Sequence, residues 1–307
     1  MRALAALLLA AGGVDFHIAD PAITESSGLV DTGSAVYTVN DSGNAPMLYR
    51  LDPRSGRTTG TTRLPANVDI EALAPGADGT ILVGDIGDNQ RERDSIAVYR
   101  VAGDLVETLR LRYPDGAHDA ETLLVGGDKI YVVTKEVPGA VYAAPSRGVQ
   151  SGTVTMRRVA RVPSWLTDGA VMPDGRHVLL RNYGQVHLLS FPAFDLLAST
   201  DLPKQPQGEG ISVSPTGRVR ISSEGVQQPV RTIRLSPRMR TAMSSTASPS
   251  PAASPSPIAS PSAANDLMPS DPDQLPSWVI AGGLLGVICV ALAIAAAGLR
   301  RRSSGHG

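Results

Sequence analysis

One pattern recurs five times along the middle of this 307-residue chain and restricts what the chain can fold into. An acidic or polar pair is followed by small and apolar residues, a turn and an apolar strand. The segments are ESSGLV from Glu25, DIEALA from Asp69, DAETLL from Asp119, LTDGAV from Leu166 and QGEGIS from Gln207. Their starts lie 41 to 50 residues apart. A repeat of about 40–45 residues is the length of one four-stranded propeller blade.

Strands can be read inside each repeat. The second offers IEALAP, TILVGDI, SIAVYRV and ETLRLRY, each apolar on one face or both. The first, third and fourth also supply four strands each. The fifth supplies three before a polar tail begins, so it is one strand short. FHIADPAI, Phe16 to Ile23, precedes the first repeat and can supply the missing outer strand. Pairing the two chain ends would close the ring and leave fewer open sheet edges. The expected fold is therefore an all-β propeller of five blades over residues 14–239, with six blades as runner-up. A two-sheet sandwich does not account for the repeat.

Alignment on the first strand of each repeat gives a polar ring: Ser27, Glu71, Glu121, Asp168 and Glu209. Fourteen residues onward lies a second: Asp41, Asp85, Lys135, Asn182 and Ser223. First strands line a propeller's channel, so equivalent positions converge on its axis. Four carboxylates at one level raise one another's pKa values. A bound cation, ion pairs with Lys135 and Arg181, or backbone N–H groups can each relieve them. Carboxylate oxygens suit Ca²⁺. DIGDN, Asp85 to Asn89, adds two carboxylates and an amide around a glycine, as an oxygen-ligand loop or an Asx-rich turn. NDSGN at Asn40 and SSEG at Ser222, with Glu224, occupy the equivalent places. The candidate metal ligands are Asp41, Glu71, Asp85, Asp88, Glu121 and Glu209. Asp168, Arg181, Asn182, Lys135 and Glu224 are candidate ligand contacts. Glu71, Glu209 and His118, beside the DAE segment, are candidate acid–base groups.

The ends of the chain differ from its middle. MRALAALLLAAGG, residues 1–13, reads as a short signal peptide. Residues 240–277 are rich in Ser, Pro and Ala and read as a disordered stalk. Trp278 to Leu299 is a run of 22 residues without charge. At 1.5 Å per residue it would span about 33 Å, enough for a bilayer core. Arg300, Arg301 and Arg302 follow, in a short tail over 300–307 that marks the cytoplasmic side. The expected topology is single-pass type I, with the propeller outside the cell.

Composition adds exclusions. The net charge of −1 argues against a nucleic-acid binder. The one cysteine, Cys289, lies in the expected span, so neither a disulfide framework nor a multi-cysteine zinc site is possible. Of the 28 basic residues only Lys129, Lys135 and Lys204 are lysines, a bias that suggests a GC-rich genome.

Together ESSGL with NDSG, DIEALA with DIGDN, YPDGAHDAETLL, and QGEGIS with SSEG resemble a family of exported, membrane-anchored β-propellers of high-GC Gram-positive bacteria. The resemblance covers roughly residues 16 to 236. More distantly the chain is similar to esterase-like phytase and gluconolactonase-like propellers, which hold Ca²⁺ with carboxylates around the channel. The resemblance implies such a role for Glu71, Asp85, Asp88, Glu121 and Glu209. It departs from the pattern at Ile70, where the closest form, DWEDLA, has Trp. Aromatic residues, at 4%, are few for a sugar-binding propeller. Three roles follow as expectations. The first is a surface-tethered propeller that binds an extracellular ligand or protein, with Ca²⁺ in its channel. The second is a Ca²⁺-assisted hydrolase of phosphoesters or lactones. The third is an interaction scaffold with a structural carboxylate ring.

Overall fold

A computed structural model describes residues 13–146 and 152–245. The chain opens with β1 (Val14–His17) and then builds sheets in sequence order. Blade 1 is β2 (Ser26–Asp31), β3 (Val36–Asn40), β4 (Met47–Leu51) and β5 (Thr58–Arg63). Blade 2 is β6 (Ile70–Pro75), β7 (Ile81–Asp85), β8 (Ile96–Ala102) and β9 (Leu105–Arg112). Blade 3 is β10 (Ala120–Gly126), β11 (Lys129–Thr134) and β12 (Gly139–Pro145), with β14 (Arg157–Val162) outermost; β13 (Thr153–Thr155) lies in the connection before it. Blade 4 is β15 (Asp168–Val171), β16 (His177–Arg181), β17 (Gln185–Ser190) and β18 (Leu196–Asp201). Blade 5 is β19 (Gly208–Val213), β20 (Val219–Ser223) and β21 (Pro229–Ile233), completed by β1. The five expected blades are present.

Burial follows position in the blade. Inner strands such as β2 and β6 are buried on both faces, whereas the outermost β5 alternates between half-buried and exposed. Among the described residues the apolar core is divided. Five apolar clusters each fill the seam between neighbouring blades. Val39 and Leu48 meet Leu73 and Val83 between blades 1 and 2, for example. Each such side chain removed from water contributes about 1.5–3 kcal/mol.

Ring closure uses the N-terminal strand, as expected, with a shift in its bounds. β1 pairs antiparallel with β21, Val14 opposite Arg231 and His17 opposite Pro229. The strand ends at His17 because Ile18 and Ile23 turn down into the seam between blades 5 and 1. Arg220 holds the closing strand: its Nε lies 2.7 Å from Asp15 Oδ2 and its Nη1 2.9 Å from Asp31 Oδ2.

Two elements were not expected. β13 leaves blade 3 and adds a parallel fifth strand to blade 2, Thr153 opposite Arg110. After β21 comes α1 (Pro237–Ser244), which packs on β18 through buried Met239. Ser236 caps it by accepting the Met239 N–H at 3.2 Å, and Pro237 starts the first turn. Helix thus continues past residue 240, where the Ser/Pro segment is expected to begin. Among the described residues no helix is long and apolar enough to cross a membrane. Residues 1–12 of the expected signal peptide, most of the stalk from residue 246, the expected span and the tail lie outside the described residues.

Candidate functional site

Each inner strand carries its ring residue, and in four of the five the ladder slips there. The slips fall between Ser27 and Leu29, Ile70 and Ala72, Ala120 and Thr122, and Gly208 and Ile211. A bulge leaves a residue out of the ladder and re-aims its side chain. Glu71, Glu121 and Glu209 are such residues. Gly28 makes the slip possible in blade 1: at φ 64° a Cβ there would lie 2.7 Å from Leu73 N of blade 2.

In blades 1, 2, 3 and 5 the loop after the second strand returns to the channel mouth at a point fixed by one backbone bond. Asp41 N donates to Glu25 O at 3.0 Å, Gly87 N to Asp69 O at 3.0 Å, Lys135 N to Asp119 O at 3.0 Å and Glu224 N to Gln207 O at 2.9 Å. The equivalent mouth positions are therefore Asp41, Gly87, Lys135 and Glu224. The fixed step of fourteen residues finds Asp41 and Lys135. It misses by two residues in blade 2 and by one in blade 5.

This offset corrects the expectation for Asp85 and Asp88. Asp85 closes β7 and faces structure: it accepts Val68 N at 3.2 Å, Asp69 N at 3.1 Å and Tyr99 Oη at 3.0 Å, and pairs with Arg93 at 2.8 Å. Asp88 accepts Glu92 N at 3.0 Å and Arg93 N at 2.9 Å, an Asx-type turn. Neither carboxylate joins the cluster at the mouth.

The cluster that does form is Asp41, Asp69 and Glu71. One oxygen from each lies within 4.8 Å of the others. Asp69 was not among the expected ligands. Its signal was available as the acid two residues before the ring position, seen also in Glu25 and Asp119. Gly87 makes the space: a Cβ there would lie 2.5 Å from Asp69 Oδ2 and 2.9 Å from Glu71 Cγ. Asp69 Oδ1 is buried with no hydrogen-bond partner. Burial, then the charges of Asp41 and Asp119, pushes the Asp69 carboxyl up to about 6. Burial, then Glu121 and Asp41, holds Glu71 well above the usual carboxylate range. An orphaned buried oxygen in a glycine-cleared hollow lined by three carboxylates fits a hard cation.

Across the mouth Lys135 is paired with Glu121 and lies 5.3 Å from the centroid of the Tyr183 ring. Burial raises the Glu209 carboxyl against the opposing charges of Lys135 and Arg181. Glu224 is pushed up to about 8 by burial and then by Glu209, Asp41 and Glu25.

Three expected ligand contacts are structural. Asp168 is fully buried; its oxygens accept Gly169 N at 2.7 Å and Ile211 N at 2.8 Å. Burial raises its pKa against those donors and Arg181. Arg181 is also fully buried, donating to Gln205 Oε1 and Gly210 O at 3.1 Å each, and burial lowers its pKa to about 10. Asn182 Oδ1 accepts Gly184 N at 3.1 Å and Gln185 N at 2.8 Å in a tight turn. His118 does not reach the channel either. Its Nδ1 lies 3.0 Å from Glu136 Oε2, its Nε2 2.9 Å from Tyr142 Oη and 3.2 Å from Asp115 Oδ1.

No protein-family profile and no curated protein sequence matches the chain. Solved structures do resemble it. A gluconolactonase from Xanthomonas campestris is 16% identical, with a TM-score of 0.45 over 68% of this chain and 76% of that one. A chain of a nidogen/laminin complex is 14% identical, with a TM-score of 0.44 over 66% and 73%.

Proposed function

We propose that the chain is a surface-tethered β-propeller that binds a ligand at its channel mouth, with a cation such as Ca²⁺ held by Asp41, Asp69 and Glu71. The observation that carries this reading is the buried, unpartnered Oδ1 of Asp69 in the hollow beside Gly87. Ca²⁺ takes six to eight oxygens, so three carboxylates leave positions for oxygens of a guest. The tether rests on the uncharged run 278–299 and the basic residues after it.

The test is thermal melting of the full-length chain with EDTA and then with millimolar Ca²⁺. Ca²⁺ should raise the midpoint, EDTA should reverse the rise, and Asp69→Asn should abolish it. An unchanged midpoint would remove the cation from this reading.

A second reading, hydrolysis of a lactone or phosphoester, draws on one observation: Glu71 and Glu209 are carboxyls raised by burial at the mouth, as a general base requires. A cation there would polarise the scissile group. The anionic phosphoester is the poorer candidate, because Arg181 is buried and Lys135 is already paired with Glu121. A screen on lactones and phosphoesters with Glu71→Gln and Glu209→Gln decides it. Turnover that survives both substitutions would count against the mechanism.

A further inference from the structure

His118 has more polar contacts than a neutral imidazole can satisfy. Its Nδ1 lies 3.0 and 3.1 Å from the two Glu136 oxygens. Its Nε2 lies 2.9 Å from Tyr142 Oη and 3.2 Å from Asp115 Oδ1. Tyr142 Oη in turn donates to Asp115 Oδ2 at 2.9 Å. The Tyr113 ring packs edge-on against His118 at 4.9 Å and the Tyr142 ring lies tilted at 5.2 Å, so little water reaches the imidazole.

The hydrogens decide the charge of the ring. A neutral imidazole has one N–H and one lone pair. With its hydrogen on Nδ1, Nε2 is bare and faces Asp115 Oδ1 lone pair to lone pair. The single Tyr142 hydrogen then serves either Nε2 or Asp115 Oδ2, and the other contact has none. With its hydrogen on Nε2, Nδ1 is bare against Glu136, whose Oε1 already accepts from Arg91 Nη2 at 3.2 Å. An imidazolium fills every contact: Nδ1–H to Glu136, Nε2–H to Tyr142 Oη and Asp115 Oδ1, and Oη–H to Asp115 Oδ2. His118 and Arg91 then balance Asp115 and Glu136 in charge.

This network joins three loops at the mouth end: Arg91 follows β7, His118 precedes β10 and Glu136 follows β11. The residues beside it hold the mouth. Asp119 O accepts Lys135 N at 3.0 Å, Asp119 Oδ1 accepts Asp88 N at 2.9 Å and Glu136 O accepts Trp165 N at 3.3 Å. We infer that His118 is a pH-sensitive clasp: as an imidazolium it ties Asp115 to Glu136 and fixes Asp88, Lys135 and Trp165, and loss of its proton loosens these loops. The other titratable or charged groups around it are Tyr113, Tyr142, Asp119 and Arg91, with Arg93 acting on Tyr113 and Arg158 on Tyr142. Burial raises both tyrosines further above their ordinary range, so the imidazole is the group that changes charge near neutral pH. The clasp depends neither on a cation nor on a ligand at the mouth.

Two measurements on the full-length chain test this. In nuclear magnetic resonance with nitrogen-15 histidine, the His118 ring, assigned through Ala117 and Asp119, should carry a proton on both nitrogens at about pH 7 and lose one at higher pH. A neutral ring at that pH would overturn the inference. In hydrogen exchange, corrected for the intrinsic pH dependence, protection of the Asp88, Lys135 and Trp165 amides should fall at least about tenfold between pH 6 and pH 9, the weight of one charge-assisted hydrogen bond. His118→Asn keeps a donor near the Nδ1 position but cannot titrate, so it should show the weak protection at both pH values. Protection in the wild type that does not change with pH, or the same change in His118→Asn, would also overturn the inference.

Discussion

Ser27 Oγ lies 2.7 Å from the Glu71 carbonyl oxygen and 3.0 Å from Glu71 Oε2. The one ring position without an acid therefore supports the acid of the next blade. Ser27→Ala removes that donor and leaves a buried carbonyl short of a partner. The expected cost is about 1–3 kcal/mol, read as a lower denaturant midpoint with an unchanged slope. A variant as stable as the wild type would mean that Ser27 does not anchor Glu71.

Gly87 tests the hollow directly. Its backbone is not in the left-handed region, so Ala is conformationally allowed there. Its methyl group would press on the Asp69 carboxylate and on Cγ of Glu71. Gly87→Ala should keep the circular-dichroism spectrum of the wild type and lose the Ca²⁺-induced rise in melting. A variant with an undiminished rise would place the cation elsewhere.

The acidic mouth predicts the sign of a pH dependence. Asp69 at about 6, Glu224 at about 8 and the raised Glu71, Glu121 and Glu209 hold protons that the unfolded chain releases near pH 4. Between about pH 4 and 8 the folded state binds more protons, so stability falls as pH rises. Lys135 acts in the same direction but at higher pH: its raised pKa gives stability that is lost only above about pH 10.4, outside this window. In EDTA the melting midpoint should be higher at pH 5 than at pH 8. Ca²⁺ should stabilise more at pH 8, since protons compete for the same oxygens. A flat profile in EDTA would show that the carboxyls do not titrate as a buried group.

Closure of the ring predicts a different phenotype. Arg220 bridges Asp15 of β1 and Asp31 of blade 1 with its side chain 3% exposed. Arg220→Ala breaks a buried pair, at an expected cost of about 3 kcal/mol or more. Limited proteolysis should then cut first near residues 13–25 while blades 2 to 4 stay protected. Uniform degradation would mean that the seam is not the weak point.

The repeat made the blades legible because inner strands buried on both faces must be apolar, and turn residues mark their ends. The closing strand was legible because the fifth repeat lacks one. β13 was not, since three residues, TVT, carry no periodic signal. α1 was hidden because PRMRTAMS is polar, and only Met239 in it is buried. At the site, a fixed step assumes hairpins of one length. β6 to Gly87 is longer than its counterpart in blade 1, which shifts Asp85 off the mouth. Asp168 aligns with the ring acids in sequence, yet β15 has no bulge; paired opposite Arg181, the carboxylate turns into the core. Residue type was readable, but whether a strand slips at that residue was not.

The seam between β1 and β21 also has a consequence in time. Asp15 accepts a hydrogen bond from Thr232, 217 residues later in the chain. Four blades can therefore fold while the first strand waits, unpaired, for the last to be made. Loop closure over that distance comes late and favours a slow final step. Until it happens, β21 presents a bare edge to any other strand that reaches it first.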